Sequence, residues 1–168
     1  LSKGNRIFVV EIDETLSKLK TETLTECINA DGAPWENTTG QDWPVAEGPT
    51  VIKRGGPYYL FYSTNDYRNI DYAVGYATAS SPLGPWKRYE GNPILHRKLF
   101  NRNGTGHGAI LTGKDGRLYY VFHIHNTNEQ VQERRTALVE LEIVKEEGKP
   151  DAFKVKPETF TLLQTQSK

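Results

Sequence analysis

The stretch Asp42-Trp43-Pro44-Val45-Ala46-Glu47-Gly48-Pro49-Thr50 decides how the rest of the chain reads. Glu47 has apolar sequence neighbours in Trp43, Pro44, Val45 and Ala46, and Gly48-Pro49 follows it at once. Glycine lets the backbone turn sharply or approach another segment closely. Proline fixes its own φ and pushes the preceding residue toward an extended conformation. A strand is expected at Thr50-Val51-Ile52-Lys53, then a turn at Arg54-Gly55-Gly56-Pro57, then the strand Tyr58-Tyr59-Leu60-Phe61-Tyr62-Ser63. Glu47 therefore stands at the mouth of a β-hairpin, beside a tryptophan. A carboxyl in such surroundings resists ionisation, because low dielectric disfavours its charged form. That is the environment of a general acid. The competing reading, which the local residues alone favour, is an exposed loop glutamate near a packed tryptophan.

Outward from this hairpin the same grammar repeats. Residues 71–78 form a third strand, the turn cluster Ser81-Pro82-Leu83-Gly84-Pro85 follows, and Trp86-Lys87-Arg88-Tyr89 forms a short fourth. Gly106-His107-Gly108-Ala109-Ile110-Leu111 opens a second set. It continues through the hairpin turn Lys114-Asp115-Gly116-Arg117 to Leu118-Tyr119-Tyr120-Val121-Phe122-His123, residues 136–144 and Phe153-Lys154-Val155. Upstream, Arg6-Ile7-Phe8-Val9-Val10-Glu11-Ile12 is rich in β-formers and has no helical period. Residues 21–28 alternate weakly, as a second outer strand would. Between them and Trp43 runs a long polar connection, residues 29–41, of the kind that is functional or mobile more often than inert. No segment reads as a long helix. Two successive four-stranded units after a part-unit predict an all-β chain built as propeller blades rather than a sandwich. The divisions fall at about 1–42 for a part-blade, 43–100 for the blade carrying Glu47, and 101–168 for the blade carrying His107.

Bulk composition narrows the function classes. The 168 residues suffice for one domain with a core. Lys plus Arg and Asp plus Glu balance at 21 each, so nothing draws nucleic acid or an anionic membrane to the whole surface. No apolar run approaches the length of a membrane span, and no signal peptide is visible. Cys27 stands alone and forms no internal disulfide. The chain contains no methionine and opens on Leu1-Ser2-Lys3-Gly4. This predicts a piece of a longer protein, with any targeting signal upstream. Open blade faces, carried by strands such as residues 7–12 and 138–143, then predict association, either with the remaining blades of the parent protein or as a homodimer.

In order and spacing, several of these stretches resemble glycoside hydrolase family 43. They are residues 43–63 with Glu47-Gly48-Pro49, then Tyr72-Ala73-Val74-Gly75-Tyr76-Ala77-Thr78-Ala79 with its following turn, then Gly104-Thr105-Gly106-His107-Gly108-Ala109. Residues 6–12 resemble an outer strand of the family's second blade. The resemblance implies a five-bladed β-propeller, incomplete here, from a secreted or periplasmic protein. It also implies inverting hydrolysis of arabinose- or xylose-containing oligo- or polysaccharides. Such chemistry needs two carboxyls roughly 6.5–9.5 Å apart, one to protonate the leaving oxygen and one to activate water. Glu47 matches the family's acid. The base and a second, pKa-tuning Asp lie before residue 6 in the family's pattern, and neither Asp13 nor Asp31 matches them.

The resemblance also implies a Ca²⁺ or similar ion at His107, held weakly and largely through water, since calcium seeks oxygen ligands. Otherwise His107 is a packed polar residue bonded to backbone. His123 and His125 alternate along one strand, share a face, and line the channel mouth or bond to backbone. For sugar contacts the candidates are Trp43 as a stacking platform, Asn65 lining the cleft, and Arg135, with Arg134 beside it leaving the choice ambiguous. Trp43 reads equally as a core residue, and both arginines read equally as solvated charges. Two other function classes stay open: a propeller that binds carbohydrate without catalysis, and an unrelated propeller used for interaction.

Overall fold

The apolar runs of the sequence become strands. The computed structural model describes residues 3–145 and 147–164. Among the described residues there is no α-helix. Strands β1 (Arg6–Ile12) and β2 (Leu19–Asn29) pair antiparallel as a two-stranded sheet. Strands β3 (Ala46–Lys53), β4 (Tyr58–Thr64), β5 (Ala73–Ala79) and β6 (Lys87–Arg88) form a four-stranded antiparallel meander in chain order. Strands β7 (Gly106–Thr112), β8 (Leu118–Ile124), β9 (Arg135–Val144) and β10 (Ala152–Leu162) form another. A 3₁₀ turn, Arg97–Leu99, lies in the connection between the two meanders. This is the expected all-β architecture of four-stranded blades after a part-blade.

The differences from expectation sit at the outermost strands. β6 shrinks to two residues after the proline-containing turn at 81–85. β10 runs well past the expected 153–155, with a register shift between Lys156 and Thr161 around Pro157, which has no N–H for the ladder.

A blade buried on both faces needs apolar side chains at every position of its central strands, not alternate ones. β4 shows this. Tyr59 and Phe61 point into a cluster with Val74, Tyr76, Tyr120, Phe122, Val139 and Phe153, the core between the two meanders. Leu60 and Tyr62, on the other face, pack with Ile7, Ile28 and Ala46 against the β1–β2 sheet. The ring of Phe153 stands edge-on to Tyr59 at 5.0 Å and to Phe61 at 5.2 Å, a favoured aromatic geometry. Apolar residues left in solvent collect on the β1–β2 sheet, where Phe8, Ile12, Leu19 and Leu24 are exposed. The expected second open face at residues 138–143 is not seen. Ala137, Val139 and Leu141 turn to the core between the meanders, so the other face of β9 carries Leu138 with Glu140 and Glu142, and Glu140 is paired there with Arg117 and Lys156.

The connection at 29–41 is pinned to the blade by a charge that the sequence did not advertise. Glu36 is fully buried. Its carboxylate accepts from Gly32 N–H at 2.6 Å, Tyr62 O–H at 2.7 Å, and Arg88 Nε and Nη2 at 2.8 and 3.1 Å. Arg88 also donates to the Asn29 carbonyl at 2.7 Å, so one guanidinium ties the start and the middle of the connection to β6. Removing one member of a buried pair leaves an uncompensated charge. Arg88→Met should therefore destabilise the fold by about 3 kcal/mol or more in urea unfolding. Adding Glu36→Gln to Arg88→Met should recover part of that loss, because the two side chains share one network.

Candidate active site

The two innermost strands carry the same defect at the same end. In β3 the register with β4 slips between Glu47, opposite Ser63, and Thr50, opposite Phe61. In β7 the register with β8 slips between Gly106, opposite His123, and Ala109, opposite Val121. Each bulge holds one left-handed residue, Gly48 at φ +59° and His107 at φ +50°. For histidine such a backbone is uncommon and costs on the order of 1 kcal/mol. A β-bulge re-aims the side chains beside it. Here the two bulges bring His107 Nδ1 to 3.9 Å from Glu47 Oε2. Gly48 lies directly beneath the imidazole, and a Cβ there would stand 3.2 Å from His107 Cγ.

The surroundings of Glu47 differ from those its sequence neighbours suggest. Ala46 points into the opposite cluster with Leu60 and Tyr62, as strand alternation requires. Trp43 turns to solvent, 60% exposed, with Nε1 donating to Asn5 Oδ1 at 2.8 Å. In place of this apolar set, Glu47 Oε1 accepts a hydrogen bond from Tyr72 O–H at 2.8 Å. Tyr72 is buried, and burial first, then the neighbouring Glu47 carboxylate, pushes its phenol well above the usual range, so it remains a donor. Its ring stacks on His123 at 5.5 Å, and His123 stacks on His107 at 6.2 Å. The Glu47 side chain keeps 32% of its surface exposed, so an incoming group can reach it.

Comparison with known proteins fixes the family. The model of glycosyl hydrolases family 43 matches residues 2–150. The chain belongs to glycosyl hydrolase family 43. An endo-1,4-β-xylanase from Bacteroides thetaiotaomicron is 39% identical, with a TM-score of 0.79 over 91% of this chain and 50% of its own. A thermostable family-43 glycoside hydrolase is 38% identical, with a TM-score of 0.78 over 90% of this chain and 47% of its own. A β-D-galactofuranosidase of Aspergillus niger is 30% identical over 83% of this chain and 37% of its own length. This family 43 chain thus spans about half the length of these two solved relatives, and its two meanders are blades of a five-bladed propeller.

Within that frame the residues singled out from sequence have separate fates. Glu47 and His107 come together. Asn65 does not face a cleft. Its Oδ1 accepts from the N–H and the hydroxyl of Thr38, and its Nδ2 donates to the carbonyls of Trp35 and Asp71. With every position of the amide in use, Asn65 holds the 29–41 connection to the blade. Arg135 opens β9 opposite Ile124. Its neighbour Arg134 is the arginine that reaches the cluster, donating from Nη1 to His123 Nε2 at 2.7 Å and lying over the Tyr67 ring at 4.7 Å. His125 is buried, with Nε2 bonded to the Tyr67 carbonyl at 2.8 Å. Of the two arginines that the sequence leaves open, Arg134 is the one the fold brings to the cluster. Tyr72 is missed by sequence reasoning: nothing local marks it, because its partner comes from another strand.

No three His, Cys, Asp or Glu side chains gather as a ligand set among the described residues. One imidazole nitrogen beside one carboxylate fits a directly ligated Ca²⁺ poorly. His123 itself is held neutral: burial first, then the Arg134 charge, lowers its pKa from the usual range to about 4. A depressed histidine pKa leaves stability whole above about 6.5, where both folded and unfolded forms are neutral. Stability is lost as pH falls below that value, because the unfolded chain takes up the proton first, and the loss is complete by about pH 4. Unfolding free energy should therefore decline between about pH 6.5 and 4, and His123→Gln should flatten that part of the profile.

Proposed function

We propose that this chain supplies the acid-bearing part of an inverting family 43 glycosidase, with Glu47 as the general acid that protonates the leaving glycosidic oxygen. The observation that carries the reading is the placement of Glu47. It lies in the bulge of an innermost strand, partly exposed, with Oε1 taken by Tyr72 and Oε2 free to face a substrate. A base carboxylate that activates water would stand roughly 6.5–9.5 Å away across the sugar. Asp13 does not serve as that base. It organises the β1–β2 turn through Thr15, Ser17 and Lys18, at the far end of β1 from Asn5. The base therefore belongs to the rest of the parent protein, whose blades would also cover the exposed apolar face of β1 and β2.

Substrates follow from the relatives: xylose- or arabinose-containing glycans first, galactofuranose-containing ones second. The exposed Trp43 indole is the proposed stacking surface for a sugar ring, and the arginine pair 134–135 supplies hydrogen-bond donors at the rim. A hydrated Ca²⁺ at His107 is a further proposal, and most of its ligands would be water. The second reading, a propeller that binds glycan without turning it over, rests on the absence of another carboxylate hydrogen-bonded to this site among the described residues.

In the full-length protein, Glu47→Gln should lower turnover of unactivated xylo-oligosaccharides by about 10²–10⁴-fold. It should spare aryl glycosides with activated leaving groups, which need no proton, and the product of the unmodified protein should appear with inverted anomeric configuration. Equal loss on both substrate types would assign Glu47 to binding. No turnover of any substrate by the unmodified full-length protein would favour the non-catalytic propeller.

A further inference from the structure

Resting on the reading of Glu47 as the acid, we infer that Tyr72 is its positioning residue, holding Oε1 so that Oε2 is the oxygen presented to the leaving group. The acid would otherwise be a poorly held side chain. Glu47 sits in a bulge, is partly exposed, and its other neighbour, His107 Nδ1, stands at 3.9 Å, beyond hydrogen-bond reach. Among the described residues, Tyr72 alone meets the carboxylate at bonding distance, 2.8 Å.

Tyr72 is itself fixed from every side. Its N–H donates to the Asn69 carbonyl at 3.1 Å, and its carbonyl accepts from the buried Thr105 hydroxyl at 3.1 Å. One face of its ring stacks on His123, nearly parallel at 13°. The ring also lies against the Cα of Gly106, where a Cβ would overlap Tyr72 Cε1 and Cδ1. Three elements thus form the socket: the lead-in to β5, the start of β7, and β8. The charged and titratable groups turned toward Glu47 are Tyr72 from the β5 lead-in and His107 from β7, with His123 from β8 behind them and Arg134 behind His123.

A phenol anchored this way removes the rotamer freedom that a glutamate would otherwise have to give up when the substrate binds. A buried tyrosine hydroxyl needs a partner in any case, and this one takes the acid as its partner. The same hydrogen bond strengthens as Glu47 becomes a carboxylate on giving up its proton, so Tyr72 favours the transferred state over the starting one.

The test is Tyr72→Phe in the full-length protein, which keeps the ring and its socket and removes only the hydroxyl. Turnover of an unactivated xylo-oligosaccharide should fall about tenfold or more with KM within about twofold. An activated aryl xyloside should lose little, and Tyr72→Phe should add no further loss in a Glu47→Gln background. Gly106→Ala, whose methyl displaces the ring without touching the hydroxyl, should give the same selective loss. A separate readout needs no activity. With glutamate labelled at Cδ with ¹³C, the Glu47 carboxyl resonance of this chain should move in Tyr72→Phe while the other glutamates stay in place. An unmoved resonance, or equal losses on both substrates that add to those of Glu47→Gln, would overturn the inference. A moved resonance in a protein that turns over no substrate would keep the contact and overturn the acid reading instead.

Discussion

Everything at this site depends on the seam where one innermost strand meets the next. The His107 N–H donates to Ser63 Oγ at 2.8 Å, and Thr50 Oγ1 donates to the Gly108 carbonyl at 3.2 Å. Ser63 lies opposite Glu47 in the ladder, so a single hydroxyl ties the strand beside the carboxylate to the neighbouring blade. The backbone pays for this contact with a left-handed histidine, a conformation that survives only where the surroundings over-determine it. The bulges on β3 and β7 let two pleated strands, which otherwise alternate their side chains strictly, turn Glu47 and His107 toward one another.

Behind the seam lies a layered arrangement of rings and buried charges. Aromatic side chains of β4, β5 and β8 fill the space between the blades together with Phe153 of β10. They allow little rearrangement, because close-packed interiors resist it. The outer layer is polar. Glu36 and Arg88 clamp the long connection, and Asn65 clamps it a second time. Polar groups buried with all their partners specify one arrangement of a segment that has little regular hydrogen bonding of its own. The connection that sequence patterning marks as functional or mobile is thus part of the scaffold that holds the end of β4 and the start of β5 in place, and with them Tyr72.

The arrangement around Glu47 fits the proposed role of general acid. One carboxylate is oriented by a phenol, partly open to solvent, and set among a neutral histidine, a second histidine and an arginine. A general acid needs this combination of access and orientation. The reciprocal carboxylate needed for inversion has no counterpart hydrogen-bonded to the site among the described residues. This agrees with a chain that spans half or less of the family 43 structures it resembles. Exposed Phe8, Ile12, Leu19 and Leu24 on β1 and β2 form the apolar surface that a complete ring would bury.

The sequence by itself determined the strands and their grouping into blades, and it marked Glu47 and His107 as candidates. Those properties are written locally, in apolar runs such as 58–62 and 118–122 and in the glycine and proline punctuation around residues 48, 49, 106 and 108. Only the tertiary structure decided which groups surround Glu47. Tyr72, His123 and Arg134 are distant from Glu47 in the chain; the sequence offers His123 for the channel mouth and Arg134 as one of two arginines, but nothing local says which groups they meet, and nothing at all marks Tyr72. Asn65 reads as a cleft residue for the converse reason: a polar side chain at a strand end reads the same whether it meets substrate or the backbone of a loop. Contacts across blades are set by the twist and packing of whole sheets, and a one-dimensional pattern with period two carries no record of which neighbouring strand a side chain will meet.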